Sequence, residues 1–151
     1  MPELQNIRFN WTKIITDEFA VLEKFDKDQM IHMSINVAFA ISHSESKIAV
    51  QPKCIFIQDD KTKMVIAATG HFLIDRSDWD AMIDKEKKTM TLAVLPAQHL
   101  ASLMVGTLRG ILHTKTEGQV DAAIIIPPVN ITDIVKENIV FQLADQVSID
   151  H

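Results

Sequence analysis

The stretch "QMIHMSINVAFAIS", residues 29–42, decides the fold class. Ile31, Met33, Ile35, Val37, Phe39 and Ile41 occupy the odd positions, and His32, Ser34, Asn36, Ala38 and Ala40 the even ones. A period of two held over eleven residues marks a strand with one buried face, and a long strand of that kind belongs to an antiparallel sheet.

Working outward, "SHSES" supplies a polar turn, and the alternation resumes with Ile48, Val50, Cys54 and Phe56 against Lys47, Gln51 and Lys53. Pro52 interrupts this second strand and predicts an edge or a bulge, because proline removes a ladder donor. After "QDDKTK", a charged turn, the third strand sets Met64, Ile66, Ala68, Phe72 and Ile74 against Lys63, Thr69 and His71. Gly70 lies on its apolar side, where close approach of another backbone is the usual cause. Residues 76–88, "RSDWDAMIDKEKK", predict a short helical turn capped by Ser77 or Asp78 and then a solvated charged run. "TMTLAVL", residues 89–95, alternates again and predicts a fourth strand of the same meander. The first 25 residues are the least legible, although Ile7, Phe9 and Trp11 alternate like a strand.

Downstream, Pro96 suits the first position of a helix, and Leu100, Leu103, Met104, Leu108, Ile111 and Leu112 recur three and four apart to residue 116. A second stripe on this helix is small: Ser102, Gly106 and Gly110, each four apart. Two glycines inside a helix cost about 2 kcal/mol relative to alanine, so something must approach closely. The chain's own sheet is one candidate and a helix of another subunit the other. The large stripe already serves the core, so the second is the expectation. Gly118 ends the helix, an apolar run at 122–126 stops at Pro127 and Pro128, and Asn130 with Asp133 reads as a capping-box variant. Ile131, Ile134, Val135 and Ile139 then predict a last helix that Leu143 continues.

The totals agree with one domain over residues 1–151. Fifteen Lys and Arg against twenty Asp and Glu give a net charge of −5, which disfavours nucleic acid and anionic membranes as partners. There is no signal-peptide core and no run of 18 apolar residues, so no membrane segment is expected and the cytoplasm is the expected compartment. The lone Cys54 cannot form an internal disulfide and reads as a buried, inert thiol; the sequons at Asn10 and Asn130 would matter only in a secreted protein.

Chemistry is sparse. Four glycines leave no phosphate loop, no serine has a nucleophile-elbow setting, and the carboxylates gather in turns where nothing separates their pKa values. His32 and His71 lie on the polar faces of their strands and are candidate neighbours, without a recognised metal-ligand spacing. No enzyme, metal or cofactor is expected. The anomaly is surplus hydrophobicity: Ile55, Ile57, Val65, Ala67 and Leu73 sit on strand faces that a sheet covered on one side should keep polar. Such a surface is covered by oligomerisation or binds something apolar.

Taken together, the order of elements, with "TLRGILHTKTEG" closing the long helix and "PPVN" preceding the last one, resembles the SecB family of bacterial protein-export chaperones. Thr107, Arg109 and Gly110, and then Pro128, Val129 and Asn130, carry the resemblance. It implies an α+β, SecB-like fold: a four-stranded antiparallel meander with a long helix and a shorter C-terminal helix packed on one face. It implies a homotetramer, a dimer of dimers with long helices between two sheets, and Ser102, Gly106 and Gly110 are the expected seam. The implied function is an ATP-independent holding chaperone that keeps unfolded client polypeptides in apolar grooves and passes them to the SecA motor in protein export. The groove would be lined by apolar residues of the second and third of these strands and by the segment around the last helix; Ile55, Ile57, Val65, Leu73 and Trp79 are the candidates, with tetramer core as their other reading. The polar strand faces are neutral to basic and the tail short, unlike the acidic surface and tail with which SecB proteins serve SecA. An oligomeric adaptor that has lost its groove, or a chaperone dedicated to an antitoxin, are the alternative functions.

Overall fold

The computed structural model describes residues 5–118 and 124–143. In chain order the elements are strands β1 (Phe9–Val21), β2 (His32–Ser42), β3 (Lys47–Gln58) and β4 (Lys61–Ile74), helix α1 (Arg76–Ala81), strands β5 (Ile83–Asp84) and β6 (Thr89–Leu92), helices α2 (Val94–Thr116) and α3 (Ile131–Ile134), and strand β7 (Ile139–Gln142). Four strands form one antiparallel sheet in the order β1-β4-β3-β2, and three short ones form a second in the order β5-β6-β7. The fold is therefore α+β, with a four-stranded antiparallel sheet, a long helix and a short helix.

The alternating residues behave as their pattern dictates. Ile48, Val50, Cys54 and Phe56 of β3 and Met64, Ile66, Ala68 and Phe72 of β4 are buried together with Leu100, Ala101, Met104, Leu108 and Leu112 of α2. Burying each such aliphatic side chain is worth roughly 1.5–3 kcal/mol, which makes this interface between sheet and helix the main source of stability. Gly70 is needed here, because a Cβ at that position would run into Met104 Sδ and crowd Trp11 Nε1. The close neighbour is thus a helix side chain, not a second backbone.

Five expectations are corrected. The cap of α1 is Asp75, whose side chain accepts from the N–H groups of Ser77 and Asp78, and not Ser77 or Asp78. The fourth strand of the main sheet is β1, paired with β4 from Phe9↔Ile74 to Val21↔Met64, whereas residues 89–92 pair with β5 and β7. The alternation at 89–92 is real, but two other short strands absorb it. Pro52 lies in β3, an interior strand; its ladder with β4 skips Gln51 and Pro52 and keeps its register on either side, so neither an edge nor a bulge is made there. Pro96 is the third residue of α2 and not the first, still within the turn whose N–H groups have no helical partner. The last helix is a single turn: Val135 is extended, and Ile139 to Gln142 run as a strand beside β6, where the β-branched Ile139 and Val140 fit better than in a helix. The start of the apolar run at 122–126 and the chain from 144 onward lie outside the described residues.

Candidate functional site

α2 covers β3 and β4 but stops short of one side of β2. Ile31, Met33, Ile35, Val37 and Phe39 are each half-buried, whereas Ile41, at the far end of the same face, is buried. Beside that partly uncovered edge runs the segment of α3 and β7. The two walls enclose a groove of about 510 Å³ lined by Val37 and Phe39 on one side and residues 134–140 on the other. That volume is of the size that binding sites occupy, roughly 300–1,000 Å³.

The outer wall is fixed to α2 at both ends by hydrogen bonds. Arg109 donates to the carbonyls of Ile126 (2.7 Å) and Pro127 (3.0 Å), which ties the diproline connector to the helix. Ile124 and Ile126 are buried beneath it while Ile125 faces outward. Asn130 caps α3, its side chain accepting from the backbone N–H and the hydroxyl of Thr132. Further on, Gln98 donates to the Val135 carbonyl at 2.9 Å, and the Asn138 side chain accepts from Val94 N–H at 2.9 Å. Ala93, at the N-cap of α2, has no side chain to offer, so Asn138 satisfies an orphan donor from 44 residues away. The wall is thus held by polar clamps while its apolar side chains, Ile134, Ile139 and Val140, remain at the groove.

The groove candidates read from sequence lie elsewhere. Ile55 and Val65 are direct partners across β3 and β4, on the sheet face opposite α2, and Ile57 is two residues along from Ile55. Leu73 is at the other end of that face, 40% exposed, and lines a polar cavity of about 430 Å³ with Arg8, Asp75 and Arg76. Trp79 is wholly buried; its indole N–H donates to His43 Nδ1 at 2.9 Å, so it belongs to the core and leaves the candidate set. Val37 and Phe39 of β2 were missed; Ile134, Ile139 and Val140 belong to the segment around the last helix, which the resemblance had implied as a wall without naming its residues. The signal of Val37 and Phe39 was present in part, because five apolar residues in a row on one face of β2 exceed what one helix covers.

The face opposite α2 is balanced in charge. Lys53 pairs with Glu18 at 3.1 Å, Lys63 with Glu23 at 2.9 Å and Lys47 with Glu45 at 3.3 Å. Asp17 accepts from Thr69 Oγ1 and Gln51 Nε2. The strands β2 to β4 had suggested a neutral to basic face; the acids come from β1 and the turns. His32 and His71 are not neighbours: His32 is paired with Ile57, whose other partner is Thr62, nine residues from His71. At about 3.3 Å per residue that separates them by roughly 30 Å. Among the described residues no cluster of His, Cys, Asp and Glu could hold a metal ion. Burial pushes the Cys54 thiol up to about 12, a value at which the reactive thiolate is scarce near neutrality.

Ser102, Gly106 and Gly110 all lie on the exposed side of α2, and a Cβ at either glycine would meet none of the described residues within 4 Å. The chain's own sheet therefore does not account for the two helical glycines. No helix among the described residues is long and apolar enough to cross a membrane.

The chain has the SecB-like fold. It superposes on the Mycobacterium tuberculosis Rv1957 SecB-like chaperone, solved in complex with a ChAD peptide from the Rv1956 HigA1 antitoxin, with a TM-score of 0.56 over 82% of this chain and 88% of that one. Sequence identity between the two is 9%. No family model matches the sequence. No curated protein matches it either.

Proposed function

We propose that this protein is an ATP-independent holding chaperone that binds unfolded or extended apolar segments of client polypeptides in the groove between β2 and residues 134–140. The observation that carries the reading is that groove: a cleft of mixed lining, with Val37, Phe39, Ile134, Ile139 and Val140 beside Lys136, Glu137 and Asn138, held to α2 by Arg109, Gln98 and Asn138, on a SecB-like fold. Catalysis has no constellation to support it among the described residues, and the cytoplasm is the compartment the reading assumes.

Assembly to a homotetramer, a dimer of dimers, belongs to the same reading. The open small-residue side of α2 and the exposed Ile14, Val21 and Leu22 at β1 are the surfaces such an assembly would cover. In that assembly Ile55, Ile57, Val65 and Leu73 keep both roles given them above, as a second apolar surface for clients or as part of an interface. SecA is the weaker part of the partner set, since lysines of the exposed sheet face are paired with acids and present no negative field. A chaperone dedicated to an antitoxin has one specific support, the peptide carried by the mycobacterial neighbour. An adaptor that kept the fold and lost its groove is disfavoured by the presence of the cleft.

The test is suppression of aggregation of a chemically unfolded client, mixed at equimolar ratio without nucleotide. Suppression is expected, with about one client segment held per groove. A folded, assembled protein that leaves aggregation unchanged would refute the reading.

A further inference from the structure

From Val94 to His113 the exposed residues of α2 are Leu95, His99, Ser102, Gly106, Gly110 and His113, and Glu117 follows at the C-cap. Steps of four, three, four, four, three and four separate these positions, so the row is the same in both directions from Gly106. Its mean period of about 3.67 residues is close to that of the helix itself, so all of them stay within about 40° of Gly106 and face one straight neighbour. A solvated helix face normally carries charge. Between Val94 and Thr114 the only charged residue is Arg109, and its guanidinium is bonded to the carbonyls of Ile126 and Pro127.

The row is complementary to itself. A two-fold axis at Gly106 sets a second α2 antiparallel to the first, with Ser102 opposite the partner's Gly110 and His99 opposite the partner's His113. Both histidines stand about 10.5 Å along the axis from Gly106, on opposite sides of it, so in the antiparallel pair they meet at one height. The glycines allow an interaxial distance of about 8 Å. Side chains on a helix tilt toward its N-terminus, so His99 leans toward the end of the partner helix that carries Glu117. The Phe9 ring, 5.9 Å from that of His99, limits the imidazole on its other side.

Glu117 is already turned toward this place. Its carboxylate lies 3.8 Å from His113 Nε2, one helical turn away, and both side chains are open to solvent. Two ligands of one tetrahedral zinc ion sit about 3.3 Å apart at bond lengths of about 2.0–2.1 Å, so a small rotation brings both onto one ion. The carbonyls at the C-terminus of α2 add a negative potential that favours a cation there. Within one chain no three such residues converge among the described ones, so the third ligand has to come from a second copy.

We propose that pairing of two α2 helices builds two divalent-metal sites, each made of His99 from one copy and His113 with Glu117 from the other, and that a zinc ion in each locks the pair. This rests on the α2 seam of the assembly described above and adds what fastens it. Two imidazoles and one carboxylate suit Zn2+, which takes three such protein ligands and a water. Mg2+ and Ca2+, which prefer oxygen throughout, match the set poorly.

The test uses the full chain, stripped of metal by a chelator. Titration calorimetry with ZnCl2 is expected to give one ion per chain, and light scattering to show the assembly persisting to about tenfold lower protein concentration with zinc than without. MgCl2 should change neither. His99→Ala and a His113→Ala, Glu117→Ala double variant, all at exposed positions, should each lose the site and the zinc-dependent gain in assembly. When those two variants are co-expressed, mixed pairs form at random and carry one complete site of two, so about a quarter of the wild-type zinc stoichiometry should return. No return would overturn a site shared between copies, and so would zinc binding that both variants keep. If Gly106→Leu leaves the assembled mass unchanged, the α2 seam is refuted first. If Gly106→Leu breaks the assembly but zinc neither binds nor strengthens the wild type, the metal site alone is refuted.

Discussion

At one edge of the four-stranded sheet, β2 keeps a single register with β3 from His32 to Ser42; at the other, β1 shifts register against β4 twice, between Trp11 and Lys13 and between Thr16 and Glu18. Each shift turns the following side chains over, so the residues of β1 on the helix side are Phe9 and Trp11, then Ile14 and Thr16, then Phe19 and Val21. Bulges of this kind twist an edge and make it a poor template for another strand. β1 thus leaves apolar side chains exposed, while β2 offers a straight backbone beside an apolar wall. Two strands of one sheet with similar composition are suited to different partners: β1 to a surface that covers side chains, β2 to an extended chain.

The largest effect should come from charging the two edges in turn. Val37→Asp is expected to abolish suppression of client aggregation while circular dichroism reports the sheet intact, whereas Val21→Asp should leave peptide affinity unchanged and lower the assembled mass seen by light scattering. A reversed outcome, with Val21 controlling client binding, would erase the difference between the edges. Gly106→Leu comes next. None of the described residues approaches that position, so the isolated fold should gain up to about 1 kcal/mol of helix propensity while the assembly dissociates. A tetramer that persists in the Gly106→Leu variant would remove α2 from the proposed seam.

Smaller effects sharpen how β1 is held. Gly70→Ala pushes on both Met104 and Trp11 and should cost about 1–3 kcal/mol in denaturant unfolding, in contrast to the open Gly106 on the facing helix. Arg8, just before β1, hydrogen-bonds Asp78 through its backbone and side chain and also reaches Asp75 and Ser77. The Arg8 hydrogen bonds hold the Asp78 carboxyl below its usual value of 3.8, and the Ser77 hydroxyl does the same for Asp75, with Arg8 adding to it. A carboxylate whose folded pKa is lowered stabilises the fold above its unfolded pKa, and that stability is lost as the pH falls through the folded one. Thermal melts should therefore show wild type losing stability as the pH drops below about 4, and Arg8→Ala losing less over the same range.

Legibility followed locality. β2, β3 and β4 could be read because each keeps one parity along most of its length, and the length of α2 followed from its spacing of large residues. β1 could not, because its two bulges turn the apolar set into Phe9, Trp11, Ile14, Phe19 and Val21, which has no fixed period. Residues 89–92 alternated as a strand should, but which sheet they join depends on Ile83 and on Ile139 to Gln142, far away in the chain. The stripe of Ile131, Ile134, Val135 and Ile139 mimicked a helix; pairing with β6 and the Asn138 clamp on α2 end that helix after one turn. Only one wall of the groove was anticipated, the segment around the last helix that the resemblance implied; the β2 wall was not, since it lies about a hundred residues away and only the fold brings Val37 against Ile139. Trp79 was misplaced because an aromatic residue next to a turn looks exposed until its N–H is seen to bond His43.

The most direct measurement is photocrosslinking from a client peptide that carries a photoreactive group on one apolar side chain, followed by mapping of the attachment sites on the protein. Attachment at Val37, Phe39 and residues 134–140, with β1 unlabelled, is the predicted result. Attachment confined to β1 or to Ile55 and Val65 on the opposite face would contradict a client site at the β2 edge.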